Sequence, residues 1–284
     1  MTSPLVTADW LRNNLDNVLL FDANYHLPTV DRDSEAEFTA AHIPGAMRFD
    51  INAIANPDAT LPHMLPSTDD FTVAMRAFGV NSDSHVVFYD DSDIKPAARG
   101  WWMMRMFGHD RVSVLDGGLA AWRAIEGQLV AGDEGSRKGG NFVARPSSGA
   151  GVIDFTAIVS LLGDGLPEQI IDARAAARFA GKMPEPRAGL RAGHIPGSKN
   201  LPFNELLDEN GKFLPPDKLQ QCFEDAGVDT GQPAITSCGS GVTACVLALG
   251  LSLVGNDDVS VYDGSWTEWG ASSAPIATGE DSTS

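Results

Sequence analysis

The sequence predicts an α/β protein made of two similar domains in tandem, each a mostly parallel sheet covered by helices on both faces. Three observations carry this. Landmarks recur in the same order in the two halves of the 284-residue chain. Within each half, short apolar runs alternate with helix-like segments. A stretch rich in turn residues separates the halves.

The repeat is read from matched residues. His42-Ile43-Pro44-Gly45 returns as His194-Ile195-Pro196-Gly197. Asp116-Gly117 precedes Trp122 by the same spacing with which Asp263-Gly264 precedes Trp269. Asp22 closes one apolar run and Asp172 another, each ahead of its His-Ile-Pro-Gly. A period this long means a duplicated domain, not a solenoid. With 43% apolar residues the chain has enough for two cores. The Gly- and Ser-rich stretch from Ala131 to Gly151 has linker chemistry. Domains are therefore expected at 1–135 and 152–284, with a linker at 136–151. A frayed tail is expected from Thr278.

The elements follow in order. Val86–Tyr89, Val112–Leu115, Ala234–Thr236 and Val259–Tyr262 read as buried strands. Helical segments, Ala97–Phe107 and Val242–Val254, lie between the members of each pair. Apolar strands alternating with helices indicate a parallel sheet covered on both sides. The run Trp101-Trp102-Met103-Met104 is the buried face of the first of these helices.

The chemistry concentrates in Thr236-Ser237-Cys238-Gly239-Ser240-Gly241-Val242-Thr243. A strand ends, a glycine-rich turn follows, and a helix begins. Ligands bind at the carboxyl ends of parallel strands. Glycines let main-chain N–H groups face an anion, and the helix start adds its free N–H groups and dipole. A cysteine there is expected to be largely thiolate and to hold a persulfide anion equally well. A buried structural cysteine is the plain alternative, but apolar burial does not require two glycines. The repeat is an internal control. Cys238 precedes the second Asp-Gly by 25 residues, and the same count back from Asp116 reaches Asp91. The first copy is thus expected to carry Asp91-Ser92-Asp93 in place of the thiol loop, and to keep the fold without the chemistry. A cysteine phosphatase would need an arginine six residues after the thiol, where Ala244 stands.

This loop resembles that of the 3-mercaptopyruvate sulfurtransferases, members of the rhodanese superfamily. Both His-Ile-Pro-Gly motifs, His63-Met64-Leu65-Pro66, Pro184-Glu185-Pro186-Arg187 and Tyr262-Asp263-Gly264-Ser265-Trp266 extend the resemblance over nearly the whole chain. It implies tandem rhodanese-like domains with the site in a cleft between them, the second copy being catalytic. It implies attack of Cys238 on the sulfur of 3-mercaptopyruvate, release of pyruvate, and transfer of the persulfide sulfur to cyanide or to a thiol such as thioredoxin. Arg178 and Arg187 then hold the keto acid, and Gly239, Gly241, Val242 and Thr243 line the substrate. A guanidinium fork suits the carboxylate, and the departing enolate needs nearby positive charge. Ser240 and His63 match a proton relay whose acidic member falls on Asn52, with Asp50 two residues earlier. Asparagine orients an imidazole but does not stabilise its cation. Thiosulfate sulfurtransferases are also similar, yet they carry basic side chains after the cysteine where this loop is neutral. A non-catalytic persulfide carrier is a further alternative.

The net charge of −18 excludes a general nucleic-acid binder and disfavours an anionic membrane surface. No leader-like start and no membrane-length apolar run is present in the sequence read, and the three cysteines are sparse, so a cytoplasmic protein is expected. No cofactor is expected, and no metal site, because the cysteine spacing does not suit zinc. Cys245 is expected in the core and Cys222 on a helix. His42 and His194 occur in both copies, so a structural role is expected, as for Asp22 and Asp172. Asp116 and Asp263 are expected to cap the helices that follow.

Overall fold

Runs of β-branched and apolar residues bounded by turn signals supply most of the ten strands among the described residues. They are β1 (Leu5–Val6), β2 (Leu19–Asp22), β3 (Ala46–Arg48), β4 (Val86–Tyr89) and β5 (Val112–Leu115) in the first half. The second half has β6 (Ala150–Ile153), β7 (Gln169–Asp172), β8 (Lys199–Asn200), β9 (Ala234–Ser237) and β10 (Val259–Tyr262). In this computed structural model, residues 2–132, 138–146, 150–164 and 169–279 are described. The strands form two five-stranded sheets of the same order, β1-β5-β4-β2-β3 and β6-β10-β9-β7-β8. Every ladder is parallel. The central strands β4 and β9 are buried along their whole length, which is why they read as unbroken apolar runs.

Contacts group the chain into two units. The first holds Met1–Pro57, Leu65–Ser148 and Glu209–Lys212; the second holds Asp58–Met64, Gly149–Asp208 and Phe213–Ser284. His63 therefore belongs to the second unit although it lies in the first half of the sequence. In the first unit, Leu20, Val87, Tyr89 and Trp122 pack in one cluster. Phe21 stacks on Phe88 at 5.4 Å, with Phe49 edge-on to both. The helix Ala97–Met106 buries Trp101, Trp102, Met103 and Met104. In the second unit, Ile170, Ile235, Tyr262, Trp266 and Trp269 share a cluster. The helix Ala244–Leu253 is buried from Ala244 to Leu251, Cys245 included.

Part of the expected linker is packed chain. The Phe142 N–H donates to the Val80 carbonyl at 3.0 Å, and its ring meets Phe71 edge-on. Ala150 and Gly151 already belong to β6. Residues 136–137 and 147–149 of the expected linker, 133–135 just before it, and 280–284 of the expected tail lie outside the described residues.

Two expectations are corrected, one by the strand register and one by the helix starts. Asp22 pairs with Tyr89 as Asp172 pairs with Ser237, and Phe88 pairs with Val114 as Thr236 pairs with Val261. Cys238 follows Ser237, so its counterpart is Asp90, not Asp91. The first loop is one residue longer than its copy, and counting back from Asp116 absorbed the difference. The aspartates of the Asp-Gly motifs are not the N-cap residues. The N-cap positions fall on Gly117 and Gly264, which have no side chain to cap with.

His42 and His194 do serve structure. His42 Nδ1 is 2.8 Å from the Phe38 carbonyl and the ring stacks on Phe38; His194 Nδ1 is 2.9 Å from the Phe179 carbonyl and stacks on Phe179. Their main chains form matching bridges, His42 to Val130 and His194 to Ala277.

Candidate active site

Cys238 sits one residue past β9, buried, at 2% exposure. The chain turns through Gly241, whose φ of +77° is a conformation open to glycine without strain. It then enters the helix at Ala244. The helix N-cap is Thr243, and no side chain caps it. An uncapped helix start leaves main-chain donors in search of an acceptor. The N–H groups of Gly239, Ser240, Val242 and Thr243 make no hydrogen bond to another described residue. They are an open set of main-chain donors beside Cys238, of the kind that suits an anion.

Two amides of the loop are not part of it. Cys238 N–H and Gly241 N–H both donate to Ser265 Oγ, at 3.1 and 3.2 Å. Ser265 Oγ in turn donates to the Tyr262 carbonyl at 2.7 Å. The outer side of the loop is fixed as well. The carbonyl of Cys238 accepts from Trp266 N–H at 2.9 Å. The carbonyl of Gly239 accepts from both the N–H and the hydroxyl of Thr267, at 2.9 and 2.6 Å. Cys245 Sγ donates to the Gly241 carbonyl at 3.2 Å from inside the helix.

The cationic side of the site is built on Glu185. Arg174 is buried, in ion pairs with Asp172 at 2.6 Å and Glu185 at 2.9 Å, and its guanidinium lies 4.2 Å over the Trp266 ring. Burial alone would lower it, but the charges of Asp172 and Glu185 raise it above the ordinary arginine value. Glu185 then reaches Arg178, whose Nε and Nη2 both donate to its carboxylate. A methyl group on Gly239 would stand 3.4 Å from Arg178 Nη2, so this guanidinium lies against the Cys238 loop. Arg187 is half-buried two residues after Glu185 and, among the described residues, is held by no carboxylate.

Of the other expected residues, Ser240 and Val242 are buried and Thr243 is half-buried. His63 is buried with a φ of +61°. Asn52 is exposed, and Asp50 accepts the Asn52 N–H at 2.9 Å as the N-cap of the short helix Ile51–Ile54. The structure adds Ser265, Thr267, Arg174 and Glu185 to the candidates. Ser265 and Glu185 stood in motifs read from the sequence, without a role. No cluster of three or more His, Cys, Asp or Glu among the described residues is arranged to hold a metal ion. No helix among them is long and apolar enough to cross a membrane.

The model of the rhodanese-like domain matches residues 7–125 and again 156–272. The chain belongs to the rhodanese family. Its second rhodanese domain carries the thiol loop and its first carries Asp90. A 3-mercaptopyruvate sulfurtransferase of Escherichia coli K12 is 43% identical over 274 residues, covering 95% of this chain and 96% of that one. A protein of Arabidopsis thaliana named thiosulfate/3-mercaptopyruvate sulfurtransferase 1, mitochondrial, is 38% identical, covering 94% of this chain and 76% of its own. The crystal structure of SseA from Escherichia coli, a 3-mercaptopyruvate sulfotransferase, matches with a TM-score of 0.83 at 41% identity over 93% of this chain and 99% of that one.

Proposed function

We propose that this rhodanese-family chain is a sulfurtransferase that takes sulfur from 3-mercaptopyruvate and passes it to a thiol or cyanide acceptor through a persulfide on Cys238. The observation that carries the reading is a cysteine at the end of β9, beside four open main-chain amides and an uncapped helix start. Such a cradle stabilises one anionic sulfur, and the loop residues themselves carry no cationic side chain of the kind that suits a dianion. The relatives named for 3-mercaptopyruvate, aligned over nearly the full chain, agree with that donor.

The Cys238 thiolate attacks the substrate sulfur. A new S–S bond forms, the C–S bond breaks, and its electron pair leaves on C3 as the pyruvate enolate. Arg187 and Arg178 hold the carboxylate and ketone and stabilise the enolate. Ser240 and His63 carry the proton from the sulfur to C3, which completes pyruvate and leaves a persulfide anion in the cradle. An acceptor thiolate, such as that of thioredoxin, then attacks the outer sulfur and restores Cys238. Gly239, Gly241, Val242 and Thr243 shape the pocket. None of the three cysteines is in a disulfide, which suits a reducing compartment, and we place the protein in the cytoplasm.

Steady-state pyruvate release from 3-mercaptopyruvate with a small thiol acceptor tests this. Cys238→Ser is expected to lower turnover by at least about 10⁴-fold while leaving the circular dichroism spectrum unchanged. Undiminished turnover in that variant ends the proposal. A higher kcat/KM for thiosulfate than for 3-mercaptopyruvate makes thiosulfate the donor. Persulfide on Cys238 without steady-state release makes the chain a carrier loaded by another protein.

A further inference from the structure

Ser265 combines two features that seldom coincide. It is fully buried, and its φ is +51°, a left-handed conformation that costs any residue with a Cβ. Its hydroxyl has one donor and two acceptor sites, and all three are used. The donor goes to the Tyr262 carbonyl, and the acceptors take Cys238 N–H and Gly241 N–H. The first copy has a left-handed residue at the matching position, without the hydroxyl. Its residue is Gly118, with φ of +55°, and a Cβ there would fall 2.1 Å from the Asp90 carbonyl oxygen. Glycine is the residue that suits such a bend, and the copy with the thiol is the one that departs from it.

We propose that Ser265 is a positioning residue for sulfur transfer. It draws the first and fourth amides of the loop to the outside, and so leaves the N–H groups of Gly239, Ser240, Val242 and Thr243 for the sulfur. The strain at Ser265 persists because three hydrogen bonds fix it. This rests on Cys238 being the sulfur-carrying residue. Without the hydroxyl the two amides are released, the turn at Gly241 loosens, and the four remaining donors no longer converge.

Ser265→Gly and Ser265→Ala test this. The glycine variant relieves the strained φ while losing the hydroxyl, so its Tm is expected to stay within about 4 °C of the parent. Its kcat for pyruvate release is expected to fall about 100-fold, with KM little changed because Arg178 and Arg187 are untouched. Alkylation of Cys238 by iodoacetamide is expected to shift to higher pH in both variants. A purely structural role would leave that profile in place. An unchanged kcat and alkylation profile in Ser265→Gly overturns the proposal, as does a loss of kcat that merely follows a falling Tm in both variants. If the parent chain releases no pyruvate and Cys238 takes up no sulfur, the failure lies with the proposed function, and the alkylation profiles still decide whether Ser265 governs the loop.

Discussion

Asp90 and Cys238 stand at equivalent ends of β4 and β9, and the two loops differ in what meets the helix that follows. Their framework is shared: the Asp90 carbonyl accepts from Leu119 N–H as the Cys238 carbonyl accepts from Trp266 N–H. In the first copy a carboxylate oxygen of Asp90 accepts the N–H of Ala97, the first residue of its helix, at 2.9 Å. Lys95 Nζ lies 3.9 Å from the other oxygen. In the second copy no side chain caps the helix, and the loop amides stay open. One copy has filled the anion position with a permanent group. The other leaves it open, for the sulfur of the proposed reaction. Duplication conserved the scaffold, and the occupant of one position is where the two loops part.

The neighbouring strand sharpens the contrast. Asp172, at the end of β7, is neutralised by buried Arg174 at 2.6 Å. The equivalent Asp22 has Asn24 at that offset, and Arg48 stands 4.0 Å away. Burial raises the Asp22 carboxyl to about 6, despite the Asn24 hydrogen bond and the Arg48 charge. A carboxyl raised on folding stabilises the fold fully below its unfolded value, and that contribution is lost as pH rises through the folded value. Stability of the first unit is therefore expected to fall between about pH 4 and pH 6, by on the order of 3 kcal/mol. Burial shifts Asp90 in the same direction. Urea midpoints across pH 4 to 8 read the slope. Asp22→Asn is expected to flatten it and to be more stable than the parent at pH 8. A slope unaltered by that change would show that the two strand-end aspartates are electrostatically alike.

A smaller effect is expected at Glu185, which the first copy has no reason to keep. It joins Arg174 to Arg178, and so ties the neutralised strand end to the loop. Glu185→Gln keeps the shape and removes the charge that aligns Arg178. Arg174 retains Asp172, so the fold is expected to survive. The kcat/KM for 3-mercaptopyruvate is expected to drop about tenfold, chiefly through KM, because a fixed guanidinium loses less freedom on binding a carboxylate. A change confined to kcat would assign Glu185 to the chemistry instead of to substrate binding.

How much of this was legible in the sequence depended on whether the signal was local. The central strands are buried on both faces, so Val86–Tyr89 and Ala234–Thr236 could be read directly. Cys238 stood out as a candidate because apolar burial of a thiol does not require two glycines beside it. The partner of Cys238 was misplaced by one residue, because counting assumes loops of equal length and only the strand register fixes the pairing. The aspartate caps failed because Gly117 and Gly264 occupy the cap positions. Ser265 was invisible as a functional residue. Its two loop partners are 27 and 24 residues away, and a serine in a left-handed bend has no sequence signature. Glu185 stood in a recognised motif, but a burial shared by two arginines is a tertiary fact.

The smallest expected effect tests the comparison hardest. Asp90→Cys, made in a chain that also carries Cys238→Ser, restores a thiol at the same strand end in the same fold. We expect no pyruvate release and no persulfide on residue 90, the latter read by mass spectrometry after sulfur loading. The first loop continues as Asp91-Ser92-Asp93, with no glycine to turn amides inward. Asp91 is held by Arg123 at 3.1 Å and bears its own negative charge next to the position the sulfur would take. The bend is made by Gly118, which has no hydroxyl to draw two amides aside. A thiol placed there meets acidic side chains and lacks the arranged donors of the second copy. Measurable turnover from this variant would mean that a parallel sheet and a cysteine suffice, and that the loop around Cys238 contributes little. Silence from a folded protein would place the chemistry in the loop.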